Sequence, residues 1–145
     1  MIALIQRVSL AQVEVDGEVV ASIDSGLLAF IGVEPHDTEE SSARLVQRVV
    51  NYRLFADAKG KMNASLKEIS GGLLLVPQFT LAADTKKGNR PSFSAAAAPE
   101  TGRQRFQEVV RFARSETNYV ACGIFGTDMR VSLINEGPVT FWLSV

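Results

Sequence analysis

The chain opens with an apolar stretch, Met1 to Val8, and then alternates polar with apolar residues at Gln12-Val13-Glu14-Val15 before Asp16-Gly17. A period of two predicts a half-buried strand, and Asp-Gly between two such runs predicts a hairpin returning through Glu18 to Ile23. Leu27 to Val33 is apolar apart from Gly32 and lies between Gly26 and Pro35, the pattern of a strand covered on both faces. Asp37 and Glu40 form a capping pair ahead of Ala43, Val46, Val49 and Val50, whose spacing predicts an amphipathic helix. Tyr52 to Phe55 reads as a strand, Asp57 to Gly60 as a turn, and Leu73 to Val76 as a second buried strand behind Gly71-Gly72. Between Leu81 and Pro99 the chain is punctuated by Gly88, Pro91, the run Ala95 to Ala98 and Pro99, which predicts a long loop. Such loops often carry function in compact domains. Phe106, Val109, Val110 and Ala113 follow the i, i+3, i+4, i+7 strip of a second helix over Glu100 to Thr117. Tyr119 to Phe125, Met129 to Ile134 and Val139 to Val145 close the chain as strands, with Asn135 to Thr140 as a tight turn between the last two. The sum is an α+β fold: one strand-rich domain over residues 1–145, with curled antiparallel and mixed sheets, barrel-like, covered by two helices.

Composition narrows the chemistry. With 145 residues, 46% of them hydrophobic and 21% charged, the chain has the balance of a globular domain. A net charge of −1 gives no overall field to gather nucleic acid from a distance, so any RNA contact is expected to be local and duplex DNA is not an expected partner. No apolar run reaches the roughly 20 residues of a membrane span, and Gln6 and Arg7 interrupt any signal-peptide core. The cytoplasm is the expected location. One Cys and one His, Cys122 and His36, exclude a Cys/His zinc cluster, so neither metal nor cofactor is expected. A histidine-based triad would have to use His36, which lies in a polar segment before the first helix and reads as a solvated residue.

Two segments carry more than packing. In Pro77-Gln78-Phe79-Thr80-Leu81 a buried strand acquires an amide and a hydroxyl just before the long loop, where scaffolds present groups to ligands. A strand simply running into solvent has the same composition. In Asn135-Glu136-Gly137-Pro138-Val139-Thr140, Gly137 permits unusual backbone angles and Pro138 permits a cis bond, although most Gly-Pro pairs are plain turns.

Taken together these segments resemble the SQFTL and NxGPVT motifs of the bacterial D-aminoacyl-tRNA deacylases. Met1 to Val8, Gly60-Lys61-Met62-Asn63, Arg90-Pro91-Ser92-Phe93-Ser94 and Gly137 to Leu143 are similar to further stretches of that family, in the same order along nearly the whole chain. The resemblance implies a homodimeric hydrolase that cleaves the ester between a D-amino acid, or glycine on the wrong tRNA, and the terminal adenosine of tRNA. It implies that Gly137-Pro138 is cis and enters the neighbouring subunit's site, where main-chain carbonyls exclude an L side chain. Arg7 matches the arginine that holds this motif. Gln78, Phe79 and Thr80 match residues around the ester and adenosine, with Met129 against the same end.

An aminoacyl ester is activated, so its hydrolysis needs an oriented water and donors for the developing oxyanion more than a strong protein base. Backbone N–H groups near Phe79 and Thr80 suit that role, with the substrate's ribose hydroxyl assisting as the resemblance implies. Thr80 as a covalent nucleophile is the competing scheme, without an evident activating base. Lys86, Lys87 and Arg90 on the long loop are candidates for contact with the acceptor-end phosphates. One departure stands out. Pro77 occupies the place of the family's usual Ser, which removes a hydroxyl and an N–H and resembles a sister group acting on L-alanyl-tRNA. A non-catalytic RNA-end binding domain is the third alternative.

Overall fold

The computed structural model describes residues 1–145 throughout. Strand β1 runs unbroken over Ile2–Val15 and is followed by β2 (Glu18–Ile23) and β3 (Gly26–Gly32). Helix α1 (Glu39–Asn51) leads to a small hairpin of β4 (Phe55–Ala56) and β5 (Met62–Ala64), then to the one-turn helix α2 (Leu66–Ile69). Strand β6 (Gly72–Pro77) runs into a 3-10 turn at Phe79–Ala82. Helix α3 (Pro99–Glu116), β7 (Val120–Cys122) and β8 (Arg130–Ser144) complete the chain. The helices therefore number three rather than two, because α2 is too short to leave a periodic apolar pattern.

Strand β1 organises the sheet. Its first half pairs antiparallel with β3 and its second half with β2, while β8 runs antiparallel along its other edge. The parallel pairs β3–β6 and β6–β7 carry the sheet onward. The Tyr119 hydroxyl on the β7 side donates to the Ser22 carbonyl of β2 at 3.0 Å, which draws the mixed sheet into a nearly closed barrel. Strands β3 and β6 are buried on both faces, as their continuous apolar runs require. Leu27, Ala29 and Ile31 face α1 and α3 with Val46, Val49, Phe106, Val109 and Ala113, whereas Leu28 packs inside the barrel with Val8, Val13, Leu74 and Val76. Burying each such side chain contributes about 1.5–3 kcal/mol before the entropy of ordering.

Four sequence expectations need correcting. Thr38, not Asp37, caps α1, in a reciprocal box with Ser41. Asp37 is held instead by the distant Met1 ammonium at 2.6 Å and by the neighbouring Glu34 N–H at 2.7 Å, which together outcompete a cap. Tyr52 to Arg53 lies outside regular strand, since Tyr52 terminates α1, and β7 stops at Cys122 instead of reaching Phe125. The expected turn at Asn135–Thr140 is a bulge inside one continuous strand. Gln6 pairs with Thr140 and Val8 with Asn135, so Glu136 to Val139 loop out opposite the single residue Arg7.

Candidate functional site

Where β6 leaves the sheet, the Gln78 N–H still donates to the Ile31 carbonyl at 2.8 Å, and the chain then tightens into the 3-10 turn. In an i→i+3 turn the first N–H groups have no acceptor inside the turn, and here those belong to Phe79 and Thr80. The Gln78 Nε2 donates to the Thr80 hydroxyl at 2.7 Å, locking the two side chains together. The exposed Phe79 ring leans on Phe93 of the long loop at a centroid separation of 5.2 Å.

The turn separates two depressions. On one side Gln78 and Phe79 line a pocket of about 350 Å³ with Pro77, Phe125, Asp128 and Met129. Thr80 faces the other, a cleft of about 580 Å³ shared with Leu81, Lys86 and Trp142. Met129 thus joins Gln78 and Phe79 around one pocket, while Thr80 opens onto the neighbouring surface. Gly123 makes the seat for Met129, since a Cβ there would stand 2.7 Å from its sulfur. Asp128 is the one ionisable side chain lining the first pocket, and no His or Cys is among its walls. Nor do three or more His, Cys, Asp or Glu side chains cluster as metal ligands anywhere in the chain. His36 is exposed, remote in kind from any of this chemistry.

Gly137-Pro138 is a cis peptide at the crest of the β8 bulge. Two side chains brace it through four hydrogen bonds. Arg7 donates through Nε to the Glu136 carbonyl at 3.1 Å and through Nη1 to the Leu54 carbonyl at 2.5 Å. Asn135 Nδ2 bridges the Arg7 and Val139 carbonyls at 3.0 and 3.1 Å. A Cβ on residue 137 would stand 2.5 Å from the Asn135 Oδ1, so any larger residue would displace this bracing side chain. Both Gly137 and Pro138 are exposed and neither lines the pocket that Gln78 and Phe79 form.

Phe125, Thr127 and Asp128 also wall the pocket, although pattern alone does not single them out. The signal was the polar turn Gly126-Thr127-Asp128 between two strands, at the same sheet end as Gln78.

The family model described as D-Tyr-tRNA(Tyr) deacylase matches residues 4–144. The chain belongs to this family. A D-aminoacyl-tRNA deacylase of Thioalkalivibrio sulfidiphilus (strain HL-EbGR7) is 59% identical over 145 residues, covering 100% of this chain and 97% of the relative. One from Ectopseudomonas mendocina (strain ymp) is 58% identical, covering 98% of each. Among solved structures, a protein described as c-Myc DNA Unwinding Element Binding Protein superposes with a TM-score of 0.96 at 32% identity, covering 100% of this chain and 99% of the other. A probable eukaryotic D-amino acid tRNA deacylase, at 18% identity and a TM-score of 0.86, shares the fold over 99% of this deacylase-family chain and 98% of its own.

Proposed function

We propose that this protein hydrolyses the ester joining a D-amino acid to the terminal adenosine of tRNA, as a chirality check on translation in the cytoplasm. The observation that carries this reading is the full-length family membership, with Gln78, Phe79 and Met129 gathered around one pocket at the end of β6. Water attacks the ester carbonyl, the N–H groups of Phe79 and Thr80 receive the oxyanion, and the carbonyl–oxygen bond to the ribose breaks with the ribose oxygen taking a proton. The pocket's lack of His and Cys fits a substrate-assisted scheme, in which the neighbouring ribose hydroxyl orients the water.

Handedness, on this reading, is set by a second copy of the chain. Gly137 and Pro138 are exposed and stand outside their own pocket, while Ile134, Phe141 and Trp142 expose apolar surface along the same strand. Covering that strand in a homodimer buries this surface and brings the bulge to the partner's pocket. There its main-chain carbonyls leave no room for an L side chain. Glycine, with no side chain to exclude, passes the same filter, so glycine mischarged on tRNA-Ala is a second substrate. Lys86, Lys87 and Arg90, exposed on the loop beyond Thr80, meet acceptor-end phosphates on this reading.

Incubation with D-Tyr-tRNA, L-Tyr-tRNA, L-Ala-tRNA and Gly-tRNA-Ala tests this reading. Release from the D and glycyl forms alone is expected. Pro77, which lines the pocket, is the residue favouring the sister activity, and cleavage of L-Ala-tRNA with D-Tyr-tRNA intact would establish that alternative. Cleavage of no ester would leave an RNA-end binding domain.

A further inference from the structure

Helix α3 carries a stripe of cations that the pocket does not use. Arg103, Arg111 and Arg114, with the neutral Gln107 between the first two, are all exposed and follow spacings of four, four and three, so they share one face over about 16 Å of helix. They border a groove of about 560 Å³ whose floor is apolar, with Phe106, Val110 and Phe125 among its walls, and no carboxylate lines it. Two of the helix's three acidic residues are engaged elsewhere, Glu108 with Arg105 and Ser42 and Glu116 with Lys67, while Glu100 is exposed in the first turn outside the groove lining. Arg103 and Arg114 form no ion pair, and Arg111, which lies over the Phe112 ring, has Glu39 as its one ion-pair partner, exposed on both sides and so cheap to exchange for another anion.

This groove adjoins the pocket at one residue. Phe125 lines both, and the Arg103 guanidinium lies over its ring at 5.1 Å from the centroid. Gly102 permits this approach, because a Cβ there would stand 3.1 Å from the Phe125 ring. A strand leaving the pocket past Phe125 therefore meets Arg103 first and Arg114 last. Guanidinium forks match phosphate oxygens, and in a chain of net charge −1 three arginines beside a groove that no carboxylate lines concentrate attraction in one place.

We propose that this face of α3 binds the phosphodiester backbone of the RNA strand whose 3′ end occupies the pocket. The proposal rests on the reading of the pocket given above. It supplies register without base readout, since phosphate contacts position and do not specify.

The test compares the intact protein with an Arg103→Gln/Arg114→Gln variant and a charge-matched Arg44→Gln/Lys59→Gln control, whose residues are exposed on α1 and in the β4–β5 turn. Affinity for uncharged tRNA is measured across salt, and hydrolysis is followed on D-Tyr-tRNA and on 3′-O-(D-tyrosyl)adenosine, which carries no phosphate. In the arginine variant, affinity for tRNA is expected to fall about tenfold and the salt slope by about two. KM for D-Tyr-tRNA rises correspondingly, while the adenosine ester is cleaved as before. Unchanged affinity and slope, an equal loss in the control, or equal damage on both esters would overturn the proposal. A wild-type protein that cleaves neither ester yet loses tRNA binding with the arginines would defeat the functional reading and leave this surface standing.

Discussion

Arg7 and Glu136 lie 129 residues apart in the chain, yet the Arg7 Nε donates to the Glu136 carbonyl at 3.1 Å while Nη1 reaches Leu54. One guanidinium thus ties the bulge of β8 to the centre of β1 and to the segment that follows α1. The bulge exists because four residues oppose this one, and the same side chain that faces the gap fills it.

Arg7→Ala removes the donor from two carbonyls at once. Charged hydrogen bonds contribute about 1.5–3 kcal/mol, and partial exposure places this pair toward the lower end. Denaturant unfolding should show a loss of that order, and kcat/KM on D-Tyr-tRNA should fall at least about tenfold as the bulge loosens. Arg7→Lys should restore little, because an ammonium cannot span the two acceptors as a planar fork does. A destabilised variant with full activity and full discrimination would remove the bulge from the site.

Thr80→Ala should leave measurable turnover. The Thr80 hydroxyl accepts from Gln78, and no His, Lys or carboxylate hydrogen-bonds to it, so nothing activates it as a nucleophile. Rapid quenching followed by mass spectrometry should find no acyl-enzyme at any time. An adduct trapped on Thr80 refutes the substrate-assisted scheme.

The hairpin at Asp16-Gly17 is legible in sequence because both residues adopt positive φ, 51° and 84°, which this dipeptide tolerates and most do not. The doubly buried strands and the apolar face of α3 are equally legible, since each prints its own period. Gly137-Pro138 misleads for a physical reason. Glycine and proline normally end strands, but here pairing with β1 resumes at Thr140 and keeps β8 continuous. Asp37 misleads similarly, because its long-range partner Met1 is invisible to local pattern. Within the site, Gln78 and Phe79 stand in a motif legible in the sequence and line one pocket with Met129, which belongs to no such motif, whereas Phe125 and Asp128 join them through the curvature of the sheet.

Phe79→Ala tests the stacking surface. The ring is 56% exposed and rests on Phe93, so the core does not depend on it. Base stacking on an aromatic ring contributes about 1–3 kcal/mol, which corresponds to a KM for D-Tyr-tRNA roughly ten- to hundredfold higher with a nearly unchanged Tm. A lowered Tm with unaltered KM would assign Phe79 to packing alone.

Gly26→Ala should damage the fold itself. Gly26 pairs with Gly72 in the parallel β3–β6 ladder, and a Cβ at residue 26 would lie 1.9 Å from the Gly72 carbonyl oxygen. A backbone atom in a central strand has nowhere to retreat, so the cost is expected at about 3 kcal/mol or more, read from the urea midpoint. A midpoint near that of the wild type would mean the two strands separate freely.

Acid should weaken the protein through three surface carboxylates. The backbone N–H groups of Lys61 and then Lys59 hold Asp57 below its usual range, the backbone and hydroxyl of Ser65 do so for Glu68, and the Lys67 ammonium for Glu116. A carboxyl depressed in the folded state adds stability that is fully present above its unfolded pKa, about 4, and disappears as pH falls through the lower folded value. The urea midpoints of wild type and an Asp57→Asn/Glu68→Gln variant should therefore differ by a constant amount from pH 6 to 8 and converge below about pH 4. Activity should behave differently across the same range. With no histidine lining the pocket, kcat on D-Tyr-tRNA should show no inflection near the usual imidazole pKa of about 6.5. Midpoints that diverge on acidification would mean these carboxyls are raised on folding, and an inflection near neutrality would contradict a scheme in which no protein base takes part.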